Sequence, residues 1–308
     1  MNGVLIVDKP KGITSHDVVV RIRRLLKTKK TGHLGTLDPM ASGVLPLVLG
    51  KATKLASLLA DGKKSYEAVI HLGIATDTYD ATGSPSDESI QNKCRAENLT
   101  LETIKAAAKS FTGIFLQRPP PYSAKKVNGT RAYRLARKNA TVQLSPVEVC
   151  VHALEITAFR DNRLFCKISC SRGFYVRALA HDLGQHLGCG GCLEQLRRTK
   201  NGVFTLQQSV LLSEFENEIN FPVEKIIPMN ELLPELPMIV VTDNGSRSIA
   251  HGNTVSKNEI SSFLPKRKES KGLGDSNGRI KVLSQTGTLL AIAEQGPGDI
   301  LHPRIVLV

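Results

Sequence analysis

From residue 32 to 43 the chain runs Gly32-His33-Leu34-Gly35-Thr36-Leu37-Asp38-Pro39-Met40-Ala41-Ser42-Gly43. No helix or regular strand passes through such a stretch. Pro39 fixes its own φ and pushes Asp38 into an extended or turn conformation. Gly32, Gly35 and Gly43 let the backbone turn sharply and let something bulky come close. The segment reads as a loop that aims a side chain rather than packing one, and it presents one carboxylate, Asp38. A surface turn and an active-site loop both fit, because Asp-Pro and Gly are common turn residues. The rest of the chain decides between them.

Upstream, residues 4–7 form a short apolar strand, broken by Asp8-Lys9-Pro10-Lys11-Gly12. Thr14 or Ser15 can cap the helix that follows, in which Val18, Ile22, Leu25 and Leu26 make one buried stripe. Its other faces carry Arg21, Arg23, Arg24 and Lys27. No acidic residue occurs from 18 to 37, which favours a phosphate-facing surface beside the Asp38 loop. Downstream, residues 44–49 read as a strand. Gly50-Lys51-Ala52-Thr53 is no phosphate loop, because that pattern needs Ser or Thr at 52 and Gly at 45, where this chain has Ala and Leu. Ala52, Leu55, Ala56 and Leu59 mark a helix instead. Residues 66–72 alternate as a strand, with Tyr66, Ala68, Ile70 and Leu72 on one face. A tyrosine in line with apolar residues is first of all a core residue. A polar loop follows at 77–83, then an exposed polar stretch at 84–98. Thr100 caps a helix carrying Ile104, Ala107, Ala108 and Phe111.

Charge narrows the partner. The 308 residues, enough for one large or two ordinary domains, carry 41 Lys and Arg against 28 Asp and Glu, a net charge of +13. That balance points to a polyanion. Residues 118–147 contain seven basic residues and no acidic one: Arg118, Lys125, Lys126, Arg131, Arg134, Arg137 and Lys138. Tyr122 and Tyr133 are interleaved, and three prolines stiffen the approach. A solvated charge run is the common case, but this pattern better fits an arm that grips a nucleic-acid backbone. No run nears the ~20 apolar residues of a membrane span, and no signal peptide is evident. The expected location is cytoplasmic, with the six cysteines reduced. Cys166, Cys170, Cys189 and Cys192 loosely imitate a zinc pattern. Cys166 and Cys170 are four apart in a strand-like run, however, roughly 13 Å, too far to share one metal. Buried thiols are expected there.

Residues 148–159 and 163–171 suggest a hairpin turning at Asp161-Asn162. The next helix buries Val176, Leu179, Ala180, Leu183 and Leu187. Arg177 lies at its start, where a cation opposes the helix dipole and calls for an anionic partner. Residues 193–200 follow, then a strand at 203–206. Prolines at 222, 228, 234 and 237 mark a domain boundary between 214 and 237. The β runs beyond it, 238–242, 279–284 and 289–294, with a basic loop holding Lys266, Arg267 and Lys268, suggest a β barrel of about 70 residues, near the lower size limit of a domain.

Several of these pieces are shared with one family. Lys9-Pro10-x-Gly12-x-Thr14-Ser15, the glycine-framed Asp38 motif, Tyr66 on its strand, Cys170-Ser171-Arg172-Gly173-x-Tyr175-x-Arg177 and Leu196-Arg197-Arg198-Thr199 together resemble the TruB-type tRNA pseudouridine synthases. The resemblance covers residues 1 to about 210; the tail resembles a PUA domain. It implies an α+β pseudouridine synthase fold, with a mixed, mainly antiparallel central sheet flanked by helices, over residues 1–225. Residues 118–147 would be an RNA-binding thumb and residues 238–308 a PUA-like β barrel. It also implies that the substrate is the T-loop uridine of tRNA at standard position 55, without cofactor or metal, by a monomer that needs no protein partner.

The implied chemistry cleaves the N1–C1′ bond, turns the uracil and rejoins it through C5. The nucleotide must first be flipped out, at a cost of a few kcal/mol. Asp38 would be the essential carboxylate, as nucleophile or base, and Arg177 its matching positive charge. Tyr66 would stack on the flipped uracil. Tyr175 and Leu196 would wall the pocket, and His33 would fill the gap left by the base. Asp80 would orient polar groups. Lys9, Lys125, Lys126, Arg131 and Arg134 would face the RNA backbone. Two rivals remain: a non-catalytic RNA-binding protein or RNA chaperone, which leaves Asp38, Tyr66 and Arg177 idle, and a synthase for another RNA.

Overall fold

The computed structural model describes residues 1–85, 96–123, 125–127, 129–132, 135, 144–216, 223–264 and 278–308. The chain starts with β1 (Gly3–Lys9) and α1 (Ser15–Leu25). Thr14 caps α1 reciprocally. Its hydroxyl accepts from Asp17 N at 3.1 Å, and its own N–H donates to the Asp17 carboxylate at 2.8 Å. Val18, Val19 and Ile22 are buried, but Leu25 is 41% exposed and does not belong to the stripe. At 100° per residue the buried arc runs from Val18 through Ile22 and Leu26 to Val19, and Leu25 falls about 20° outside it. After β2 (Thr31–His33) and the Asp38 loop come β3 (Ser42–Leu49), a 3₁₀ turn at Gly50–Leu55, α2 (Ala56–Leu59) and β4 (Lys64–Leu72).

Thr100 caps α3 (Leu101–Ala108), which leads to β5 (Gly113–Gln117). Within the basic segment, β6 (Lys126–Val127) pairs with β7 (Thr130–Arg131). Arg134, Tyr133, Arg137 and Lys138 lie outside the described residues, as do 86–95. β8 (Val147–Arg160) and β9 (Arg163–Cys170) form the hairpin, with Asp161 and Asn162 both at positive φ, 52° and 57°. That is the backbone of a type I′ turn, which suits Asp and Asn. α4 (Val176–His186), β10 (Gly191–Asn201), β11 (Phe204–Thr205), β12 (Val210–Leu211), α5 (Leu212–Glu216) and β13 (Ile227–Pro228) complete the first part.

The main sheet has the order β12-β1-β3-β10-β4-β9-β8-β5, with β2 on β3, β11 on β10 and β13 on β1. Only β1/β12 and β3/β10 are parallel; the other pairs are antiparallel. Gly43 sits in the parallel pair opposite Arg198. A Cβ there would collide with the Arg198 backbone, and its φ is +107°, so only glycine lets the end of the Asp38 loop enter the sheet.

One sheet face, with Leu5, Val7, Tyr66, Ala68 and Leu196, packs on α1, α3 and α4. The other, with Val4, Ile6, Val44 and Val48, packs on Leu55 and Leu59, on Leu283, Leu289 and Ile292 of a second sheet, and on Leu307 just after it. That sheet consists of β14 (Met238–Val241), β15 (Ile260–Leu264), β16 (Arg279–Leu283), β17 (Leu289–Gln295) and β18 (Leu301–Val306), in the order β15-β14-β16-β17-β18. A barrel is not seen here: among the described residues no pairing joins the edge strands β15 and β18. α6 (Asp243–Ala250) packs against this sheet through Ile249. Lys281 Nζ donates to the carbonyls of Asn230 and Leu232 at 3.0 Å, tying the sheet to the preceding segment. The loop with Lys266, Arg267 and Lys268 lies outside the described residues. Among the described residues no helix is long and apolar enough to cross a membrane.

Candidate active site

The Asp38 loop is held from beneath by buried donors. The Ser15 hydroxyl accepts from Leu37 N at 2.8 Å and donates to Leu37 O at 3.1 Å. Lys9 is fully buried and donates to Pro10 O and Ile13 O at 2.8 Å and to Pro39 O at 3.4 Å. Burial holds the Lys9 amine down at about 8, against the pull of the Asp38 charge. Lys9 is thus a brace under the loop, not a surface contact for RNA. On the far side, Arg198 is 1% exposed. It donates to Val44 O at 2.8 Å, Gly35 O at 2.9 Å and Thr36 O at 3.4 Å. Asn201 Nδ2 reaches Leu34 O at 2.5 Å. The loop has no regular ladder, so these side chains satisfy its carbonyls.

So fixed, Asp38 meets Arg177. Nε donates to Oδ2 at 2.9 Å and Nη2 to Oδ1 at 3.1 Å, a two-pronged pair across 139 residues of chain. The Arg177 side chain is 5% exposed and that of Asp38 34%, so the carboxylate stays partly open to solvent while the guanidinium is buried. The other guanidinium hydrogens go to Thr78 O at 3.0 Å and Tyr122 O at 2.9 Å, with Asp80 Oδ2 at 3.6 Å. The arginine that opposes the α4 dipole therefore has two carboxylates, which outweigh the dipole's repulsion of about half a charge. Asp80 is itself buried and accepts from Thr78 Oγ1 at 2.8 Å and from Thr82 N at 3.0 Å.

Tyr66 lies on β4 directly opposite Arg198 on β10, and Leu196 pairs with Ala68 two residues on, so Tyr66 and Leu196 share the face that carries the loop. Burial pushes the Tyr66 hydroxyl up to about 12, although Arg198 nearby pulls it down. Tyr175 precedes α4. Its backbone N–H donates to Gln117 Oε1 at 2.9 Å and its carbonyl accepts from Gln117 Nε2 at 3.0 Å. This bracket sets where α4 begins and hence where Arg177 points. Burial also raises the Tyr175 hydroxyl. His33 ends β2 opposite Leu47 and is partly exposed. Lys125 precedes the β6/β7 hairpin, which places Lys126 and Arg131 opposite each other.

Sequence reasoning offered Ser15 only as a helix cap and gave no separate role to Gln117, Arg198 or Asn201. Each acts on a backbone carbonyl or amide far away in the chain, and no local pattern signals that. Cys166, Cys170, Cys189 and Cys192 are buried, and among the described residues no cluster suited to a metal ion occurs.

Residues 23–176 match the TruB family pseudouridylate synthase N-terminal domain, and residues 177–233 match the tRNA pseudouridylate synthase B C-terminal domain. A tRNA pseudouridine synthase B from Solibacter usitatus (strain Ellin6076) is 42% identical, covering 100% of both chains. One from Thermobifida fusca (strain YX) is 39% identical, over 97% of this chain and 96% of its own. Among solved structures, an H/ACA RNP bound to a substrate RNA containing 2′-deoxyuridine aligns with a TM-score of 0.69 at 23% identity, over 99% of this chain and 85% of that one. A Cbf5-Nop10-Gar1 complex aligns with the same score at 24%; these two are likenesses of fold alone. With the family match over most of its length and full-length relatives at this identity, the chain belongs to the TruB family of tRNA pseudouridine synthases.

Proposed function

We propose that this protein converts the T-loop uridine of tRNA, at standard position 55, to pseudouridine, with Asp38 as the essential carboxylate. The observation that carries this reading is the Asp38–Arg177 fork at 2.9 and 3.1 Å, aimed outward from a loop braced by Lys9, Arg198 and Asn201. A carboxylate that must act on a sugar or a base needs a fixed position and a matching charge that does not compete for the substrate. The buried Arg177 meets both needs.

The flipped uracil enters beside Tyr66, whose ring stacks on it. Tyr175 and Leu196 wall the pocket, and His33 fills the space that the base leaves. Asp80 holds Arg177 from behind. The thumb, residues 118–147, and the C-terminal sheet, residues 238–308, grip the RNA backbone outside the pocket. The net charge of +13 supports direct binding of tRNA by the protein alone.

The test is to incubate unmodified tRNA with the protein and map pseudouridine along it. Conversion at position 55, absent when that uridine is replaced by cytidine, is the expected result. Conversion elsewhere would reassign the substrate. Tight binding without conversion would favour an RNA-binding role.

A further inference from the structure

We infer that Lys64, backed by Arg198, seats one RNA phosphodiester next to the flipped nucleotide; the inference rests on the functional reading above. Lys64 opens β4 two residues before Tyr66, so its side chain leaves the sheet on the same face, about 7 Å along the strand. That distance suits the phosphate on one side of a nucleotide whose base lies on Tyr66. The residue is partly buried, yet among the described residues its Nζ has no hydrogen-bond or ion-pair partner.

Its surroundings are cationic. At Gly35, three residues before Asp38, the space where a Cβ would stand is bounded by Lys64 Cε at 3.5 Å, Arg198 Nη1 at 3.5 Å and Asn201 Nδ2 at 3.8 Å. Arg198 donates to three carbonyls and also meets the Tyr66 hydroxyl, and among the described residues it has no carboxylate partner. Asp38 is taken by Arg177. Asp61, the acid near Lys64, is paired with Arg172 at 2.8 Å on the exposed surface. Burial and the Arg198 charge both lower the Lys64 amine. A half-buried ammonium placed beside a fully buried guanidinium destabilises the free protein, and a bound anion removes that strain. The substrate carries such anions on either side of every nucleotide.

Lys64→Met separates this role from a structural one. The variant is expected to melt at the wild-type temperature or above it, because it loses an unfavourable charge and no hydrogen bond. Its affinity for a T-arm RNA should fall about tenfold, the usual scale for one charge-assisted contact, and its salt slope by roughly 0.7–0.9, one phosphate. A methylphosphonate at each of the two phosphates flanking the target uridine completes the cycle. At one of them the wild type should lose affinity and Lys64→Met should lose no more, while Lys64→Arg keeps most of the wild-type response. Equal losses in wild type and Lys64→Met at both positions would overturn the inference, as would a lower melting temperature with unchanged RNA affinity. If the wild type fails to modify the unaltered T-arm RNA, the functional reading itself falls, which is a different result.

Discussion

Replacing Arg177 with Met tests how the site is held together. The methionine keeps much of the stem's volume but removes every polar contact of the guanidinium: the fork to Asp38, the bonds to Thr78 O and Tyr122 O, and the charge beside Asp80. Removing one partner of a buried ion pair costs about 3–5 kcal/mol. Asp38 is one-third exposed and regains water, and Asp80 keeps its bonds from Thr78 and Thr82. The cost should therefore fall at the lower end, about 3 kcal/mol, which lowers the melting temperature by about 6–12 °C for a domain of this size.

Asp80 is the group left worst off, at 7% side-chain exposure. Adding Asp80→Asn to Arg177→Met should recover part of the loss, whereas Asp80→Asn in the wild type should cost stability. Thermal unfolding of the four proteins, followed by circular dichroism, gives the cycle. Turnover should be lost in both Arg177→Met proteins, since neither restores the fork. An Arg177→Met protein that melts within about 2 °C of wild type, a change below about 1 kcal/mol, would refute the argument that this arginine neutralises two carboxylates.

Neutralising Lys125, Lys126 and Arg131 together should weaken tRNA binding and flatten its salt slope by about 2–3, as for three phosphate contacts; fluorescence titrations at several salt concentrations would show it, and an unchanged slope would remove the hairpin from the interface. Alkaline stability depends on the buried thiols. Burial pushes Cys166 and Cys170 up to about 12 and Cys192 up to about 11, from an ordinary value of 9.0. Above about 9 the unfolded chain sheds these protons and the native one keeps them, so stability falls as pH rises through that range. Lys9, at about 8 against 10.5, acts in the opposite sense between those two values. Unfolding free energies from urea titrations between about pH 9 and 10.5 should thus fall less steeply in Cys166→Ala, by up to about 1.4 kcal/mol per pH unit; an unchanged slope would mean that this thiol is not held protonated.

Strand periodicity made the face of Tyr66, Ala68, Ile70 and Leu72 legible, because a half-buried strand alternates. The Asp161-Asn162 turn was legible because few residues tolerate two successive positive φ angles. The pairing of Asp38 with Arg177 was only half visible. A cation at a helix start signals that it needs an anion but not which one, and the partner lies 139 residues away. Leu25 was misplaced because apolar spacing alone cannot tell the edge of a buried arc from its centre. Arg197 and Arg198 look equivalent in the sequence, yet adjacent strand residues point to opposite faces. Arg197 pairs with Asp8 on one side at 2.6 Å, and Arg198 braces the Asp38 loop on the other. α6 escaped notice because Asp243–Ala250 buries little besides Gly245 and Ile249, too few positions to establish a period.

Release of tritium from a T-arm RNA carrying C5-tritiated uridine, by wild type and by Asp38→Asn, tests the central claim most directly. Pseudouridine formation replaces the C5 hydrogen, so the wild type should release tritium to solvent. Asp38→Asn should release none while binding the RNA with near wild-type affinity, because Asn keeps the shape of the side chain and loses only the carboxylate. Release by Asp38→Asn at the wild-type rate, or tight binding without release by either protein, would contradict the account.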